Sequence, residues 1–261
     1  MEIYQAIILG IVQGVAEFLP ISSSGHLLIL QTLFDIREPG VKFEIVVHLG
    51  SLCAVIAVFW RDIIELILDP FQKYVRLLII GTIPAVIVGF LFRDYIDEIF
   101  SQALYLALAF IFTGVLLILA DNITRVYKRE RDITYFDALL VGCMQAVALP
   151  PGISRSGATI TGGLVVGMRR EVAARFSFML SIIIITAAGT LEAFELREAN
   201  FQIDDIAHLM VGFFAAAITG YISIRLLLRL ITKAKLKYFS LYLFILAALI
   251  LADGFWFNFF F

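Results

Sequence analysis

Charge is scarce in this chain. Lys, Arg, Asp and Glu together make up 16% of its 261 residues, against roughly a quarter in soluble domains. The formal charge of −2 is spread in patches and leaves no basic footprint for nucleic acid. Cysteine is rarer still. Cys53 and Cys143 lie one in each half, in apolar surroundings, too few for a disulfide framework, and are expected to be packing residues. The start Met1-Glu2 lacks the positive region of a signal peptide, and no small-residue cleavage site follows a simple apolar core, so it reads as the mature start. What fills the space left by charge is apolar sequence: 61% of residues and a mean hydropathy of +0.97. Bilayer, not water, is the solvent this composition suits, and a single membrane domain is expected.

Six stretches read as full crossings, at 43–60, 77–92, 103–121, 176–193, 206–231 and 239–258, each mostly apolar and bounded by polar loops. Two more apolar regions, 3–34 and 135–167, are interrupted by Pro20-Ile21-Ser22-Ser23-Ser24-Gly25-His26 and by Pro150-Pro151-Gly152-Ile153-Ser154-Arg155-Ser156-Gly157. Neither half of either region is long enough to span alone. Broken backbone at membrane depth survives only where protein or water satisfies it, so these are expected to be re-entrant pairs of half-helices meeting at a cavity.

Displacing the chain by 132 positions aligns GIVQGVAEFLPISSSGHL (10–27) with GCMQAVALPPGISRSGAT (142–159) without a gap. Eight of 18 pairs are identical: Gly10/Gly142, Gln13/Gln145, Val15/Val147, Ala16/Ala148, Ile21/Ile153, Ser22/Ser154, Ser24/Ser156 and Gly25/Gly157. Composition alone gives roughly one. The reading is a duplicated unit of one re-entrant pair plus three transmembrane helices, repeat one at about 1–121 and repeat two at about 133–261. Basic loops mark the cytoplasm. Arg125, Lys128, Arg129 and Arg131, then Arg169, Arg170 and Arg175, then 229–237 are basic, whereas 94–98 and 192–205 are acidic. Threading the crossings through these loops brings the first pair in from outside and the second from the cytoplasm. The fold class expected is therefore an all-α polytopic membrane protein with an inverted-topology repeat, its site near the midplane.

Both breaks carry hydroxyls that can cap an apolar half-helix: Ser22, Ser23, Ser24 and Gly25 in one, Ser154, Ser156, Gly157 and Thr159 in the other. Two helix N-termini then face one cavity, which suits an anion, although serines also cap re-entrant helices in transporters. Arg155 inside the second break needs an anion at that depth; a phosphate matches its fork, and Glu17 is the structural alternative. Glu17 lies one helical turn after Gln13, and carboxylate plus amide oxygens at that spacing can hold Mg²⁺ or Ca²⁺. General-base work or a salt bridge to Arg155 are the other readings of Glu17. His26 can serve as general acid, general base or nucleophile, or be a satisfied buried imidazole. His48 is expected to bond a neighbouring helix and His208 to lie near an external helix end; neither is assigned to chemistry. Phe255-Trp256-Phe257 with 259–261 reads as an interfacial aromatic belt.

Gln13-x3-Glu17 with Ser22-Ser23-Ser24-Gly25-His26, and Pro151-Gly152-Ile153-Ser154-Arg155-Ser156-Gly157-Ala158-Thr159, resemble the (E/Q)xxxE and PGxSRSxxT signatures of the undecaprenyl-diphosphate phosphatase, or bacitracin-resistance protein, family. The FEIVVHLGS and RFSFML stretches extend the resemblance over essentially the full length. It implies an inner-membrane hydrolase that takes the terminal phosphate from a C55 prenyl diphosphate with a divalent cation (Mg²⁺ or Ca²⁺), recycling the carrier for cell-wall polymers. Glu17, Ser23, His26 and Arg155 fall on the positions regarded as catalytic. Two departures mark this chain: Gln13 stands where many members carry glutamate, and His48 stands where glutamine is expected. The partners implied are the lipid diphosphate and membrane lipids, with room for a homodimer and none for nucleic acid; the cavity is expected to open to the exterior. An inverted-repeat transporter or flippase of the carrier or of a phosphate-like anion is the rival class. The nucleophile, whether water, Ser23 or His26, stays open on sequence.

Overall fold

The computed structural model describes residues 1–36, 41–99, 103–195, 203–232 and 235–256. Among them are eleven α-helices: α1 (Ile3–Phe18), α2 (Ser23–Leu33), α3 (Val41–Val58), α4 (Trp60–Leu68), α5 (Lys73–Ile99), α6 (Ala103–Asp121), α7 (Tyr135–Val147), α8 (Arg155–Val165), α9 (Arg170–Glu195), α10 (Ile203–Leu230) and α11 (Lys237–Trp256). Five of these, α5, α6, α9, α10 and α11, are long and apolar enough to cross a membrane. The pair α3 and α4 is apolar enough taken together, but bends by 80° at its junction. The chain is a polytopic, all-helical membrane protein. Five of the six expected crossings are such long apolar helices; the expected crossing 43–60 coincides with α3, and 61–68, expected as loop, continues as the amphipathic helix α4.

The two interrupted regions are helix pairs, α1 with α2 and α7 with α8. Pro20 stops α1 because the residue before a proline avoids helical geometry, and Leu19 is extended, at φ −71° and ψ 147°. Thr134 and Asp137 start α7 with a reciprocal capping box, and Pro150-Pro151 follow its end. The pairs are held by close helix approach. A Cβ on Gly10 would meet the Gly212 carbonyl oxygen at 2.5 Å, and one on Gly142 would meet the Gly81 carbonyl oxygen at 2.5 Å. Glycine at these two positions lets α1 lie on α10, and α7 on α5, at backbone contact. The Gln145 amide then donates to the Gly81 carbonyl at 3.4 Å.

One end of the bundle collects the basic loops. Lys73 donates to the Arg131 carbonyl at 3.0 Å, Lys128 pairs with Asp137 at 2.7 Å, Arg170 with Asp121 at 2.9 Å and Arg175 with Asp62 at 2.5 Å. The acidic stretches 94–98 and 192–205, and the aromatic cluster 255–261, lie wholly or largely outside the residues whose side chains are described. Cys53 and Cys143 correct the expectation of packing: both are exposed on outer helix faces. In lipid an apolar neighbourhood surrounds outward and inward positions alike, so apolar sequence around a cysteine does not mark it as core.

Candidate active site

The two breaks meet. Ser22 accepts a hydrogen bond from the Gly25 N–H at 3.3 Å, and Ser154 accepts one from the Gly157 N–H at 3.1 Å, so each caps its half-helix in the same way. Ser24 Oγ lies 3.3 Å from Ser22 Oγ, and Ser156 Oγ lies 3.2 Å from Ser154 Oγ. Cross-links then join the halves: the Gly152 N–H donates to Ser24 Oγ at 3.2 Å, and Ser156 Oγ donates to the Leu19 carbonyl at 3.0 Å. Ser22 holds φ at 70°, a left-handed conformation costing a non-glycine residue about 1–3 kcal/mol. The surrounding hydrogen bonds hold it there.

Between the two N-termini sits the Glu17 carboxylate, 8% exposed. Ser23 and Arg155, the first residues of α2 and α8, grip its two oxygens: Ser23 Oγ donates to Oε2 at 2.5 Å, and an Arg155 guanidinium N–H donates to Oε1 at 2.7 Å. Gln13 adds a donor to Oε2 at 3.1 Å from one turn earlier on α1. The salt bridge weighed as one reading of Arg155 is thus formed. It also shows what the position selects, since an oxyanion is held there by a guanidinium N–H, a hydroxyl and a side-chain amide at once.

Glu17, Ser22, Ser23, Ser24, Ser154 and Arg155 line a cavity of ≈ 220 Å³, walled on its far side by Ile184, Ile185, Ala188 and Gly189 of α9. Thr159 stays in the second-half network, its hydroxyl 2.6 Å from Ser177 Oγ. Ser156, Gly25 and Gly157 support the breaks without lining the cavity.

His26 is placed differently. Its Nδ1 lies 2.6 Å from the Ser22 carbonyl, which can only accept, so Nδ1 carries the proton. Its Nε2 therefore accepts from the Tyr242 hydroxyl at 2.6 Å, with the two rings stacked at 5.6 Å. His26 does not line the cavity. Sequence reasoning missed Tyr242, which arrives from α11 and follows no motif, and it gave no chemistry to His48, which does line the cavity, with Nε2 3.8 Å from Glu17 Oε2.

For a divalent cation the donors are few but of the right kind. Among the described residues no three His, Cys, Asp or Glu side chains form a cluster. Among the described residues Glu17 is the cavity's single carboxylate, and the Gln13 carbonyl oxygen is buried with no hydrogen-bond partner. Turning that amide would aim its oxygen toward Glu17, giving one edge of an oxygen site. Hard cations on phosphate enzymes commonly take only one or two protein carboxylates and complete their shell with phosphate oxygens and water. The residues fit such an ion.

Comparison with known proteins gives this site a family. An undecaprenyl-diphosphatase of Moorella thermoacetica is 44% identical over 259 residues, covering 97% of this chain and 98% of that protein. One of Carboxydothermus hydrogenoformans is 42% identical over 253 residues, covering 96% and 97%, and undecaprenyl-diphosphatase 3 of Bacillus cereus is 40% identical over 251 residues, covering 96% and 97%. The family described as bacitracin resistance protein BacA matches residues 6–249, taking in both interrupted helix pairs and most of the long apolar helices, and to that family this chain belongs.

Proposed function

We propose that this protein is a membrane-embedded hydrolase that removes the terminal phosphate of undecaprenyl diphosphate, leaving undecaprenyl monophosphate. The observation that carries the reading is the oxyanion position between the α2 and α8 N-termini, where Arg155 and Ser23 already hold a carboxylate. A terminal phosphate in the adjoining cavity takes Arg155 as clamp and receives the first-turn N–H groups that have no partner within their own helices. Phosphoryl transfer needs positioning and charge neutralisation above all. Ser23 Oγ is within hydrogen-bond reach of Glu17, the relation a hydroxyl nucleophile has to its base. In this reading Ser23 Oγ attacks the terminal phosphorus while its proton passes to Glu17. The bond from that phosphorus to the bridging oxygen breaks, and prenyl monophosphate leaves. Water then cleaves the phosphoserine, releasing inorganic phosphate.

His26 positions the Ser22 corner through its Nδ1–H, since Tyr242 already occupies Nε2. Mg²⁺ or Ca²⁺ would be held by Glu17 with the Gln13 oxygen, and when bound it supplies further neutralisation of the diphosphate. The isoprenoid tail lies in the bilayer.

The architecture is read as an inverted repeat, 1–121 and 133–261. Support comes from the paired contacts: α1 lies on α10 through Gly10 and Gly212, and α7 lies on α5 through Gly142 and Gly81. α7 begins at the basic end, where Asp137 meets Lys128. Gly10 and then Gly14 meet α10 at Gly212 and then Ala216 and Gly220, so α1 runs parallel to α10 from the opposite end. If the basic end is cytoplasmic, the pair carrying Glu17 and Ser23 enters from the exterior, and the cavity opens there. Release of phosphate from undecaprenyl diphosphate by purified protein in detergent tests the activity; a pure transporter or flippase releases none.

A further inference from the structure

The imidazole of His48 stands over the same carboxylate. Its Nδ1 lies 2.8 Å from the Glu44 carbonyl one turn earlier on α3, and a carbonyl only accepts, so Nδ1 carries a proton and, in the neutral ring, Nε2 keeps its lone pair. That lone pair lines the cavity and faces Glu17 Oε2 at 3.8 Å. Two acceptors turned toward each other are unfavourable unless something positive lies between them, either a proton on Nε2 or a metal cation held by both. Two ligands on one ion, each at about 2.0–2.2 Å, can stand up to about 4.3 Å apart, so 3.8 Å is within the span of a shared cation. A ligating histidine also characteristically donates its other ring N–H to a backbone carbonyl, which fixes tautomer and ring orientation. Both features are present at His48. The third is a deficit: Gln13 leaves the site with one carboxylate, and its buried oxygen lacks a partner.

We infer that His48 Nε2 is a direct ligand of the divalent cation at Glu17, making this a mixed nitrogen and oxygen site. The inference rests on the cation reading of Glu17 given above and extends it to the kind of ion. Imidazole suits Fe²⁺, Ni²⁺, Cu²⁺ and Zn²⁺, whereas carboxylate, carbonyl and water shells suit Mg²⁺, Ca²⁺ and Mn²⁺; Mn²⁺ still accepts a nitrogen ligand and is the ion whose couplings report one.

Mn²⁺ alone, added to the purified protein in detergent, is the probe, with binding read by titration and the ligand atoms by pulsed electron paramagnetic resonance. The expected result is a ¹⁴N imidazole coupling in the wild type and in His26→Gln that disappears in His48→Gln. Mn²⁺ affinity should fall at least about tenfold in His48→Gln, the scale on which even partners of a ligating histidine act, while Ca²⁺ affinity changes little. Bound Mn²⁺ with no nitrogen coupling in the wild type overturns the inference and leaves an oxygen-only cation at Glu17. Coupling that survives in His48→Gln also overturns it. Failure of Mn²⁺ to bind, in the wild type as in Glu17→Gln, removes the cation from Glu17 and the inference with it. None of these outcomes touches the phosphatase reading, which phosphate release decides separately.

Discussion

Replacing Arg155 by lysine separates fork from charge. In the resting site one Arg155 N–H reaches Glu17 Oε1 at 2.7 Å, and the remaining donors of the planar group are free to bond phosphate oxygens in parallel. Lysine keeps the positive charge beside buried Glu17, so the variant avoids the about 3–5 kcal/mol cost of leaving a buried charge without its partner. What it loses is one charge-assisted hydrogen bond of the bidentate pair, worth about 1.5–3 kcal/mol. At 1.36 kcal/mol per factor of ten, kcat/KM for prenyl diphosphate should fall about 10- to 100-fold. The assay is phosphate release in detergent micelles, with a thermal unfolding scan to confirm that fold and stability are retained. A lysine variant that folds normally and turns over within threefold of wild type refutes the clamp.

Ser23→Ala should lower kcat by about 10³-fold or more, leaving positioning and charge neutralisation to catalyse slow attack by water, in the manner of other enzymes stripped of their nucleophile; rates within tenfold of wild type would transfer the nucleophile's role to water. Glu17→Gln should lower the rate and also move the divalent-ion titration to much higher concentration, because the cavity's single carboxylate is lost. An unchanged titration beside a reduced rate would make Glu17 a proton acceptor only. For sidedness, Ser101→Cys and Lys128→Cys in a background without Cys53 and Cys143 should respond oppositely to a membrane-impermeant thiol reagent on intact cells. Position 101 should label and position 128 should not; the reverse would place the catalytic mouth in the cytoplasm.

The helix breaks were legible because proline, glycine and serine inside an apolar run conflict with a continuous span, and the conflict recurs 132 residues later. Arg155, Glu17 and Ser23 stood out for the same reason: polar chemistry at membrane depth has a purpose. Their meeting, with a salt bridge from Arg155 to Glu17, was one of the readings weighed on sequence, but the place of Ser23 on the same carboxylate was not. Glu17 aligns with Leu149 and Ser23 with Arg155, so the asymmetry that builds the site is visible only once α2 and α8 face each other. Tyr242 was invisible because 216 residues separate it from His26, and no period or motif links them. His48 lay in an unbroken crossing, where one imidazole is ordinarily satisfied by its neighbours. The α4 helix was hidden by its charges, Arg61, Asp62 and Glu65, which break up an apolar run although their spacing suits an amphipathic helix. The cysteines failed for a general reason, since the rule that apolar means inside loses its force when the solvent is lipid.

The central claim is that the cavity breaks a phosphoanhydride. Purified wild-type protein, reconstituted in lipid nanodiscs with undecaprenyl diphosphate, should release inorganic phosphate and undecaprenyl monophosphate in equal amounts, and Arg155→Ala should release neither above background. Intact undecaprenyl diphosphate after prolonged incubation with folded wild-type protein, tested across divalent cations, would contradict the account and leave the carrier's transport as the activity to seek.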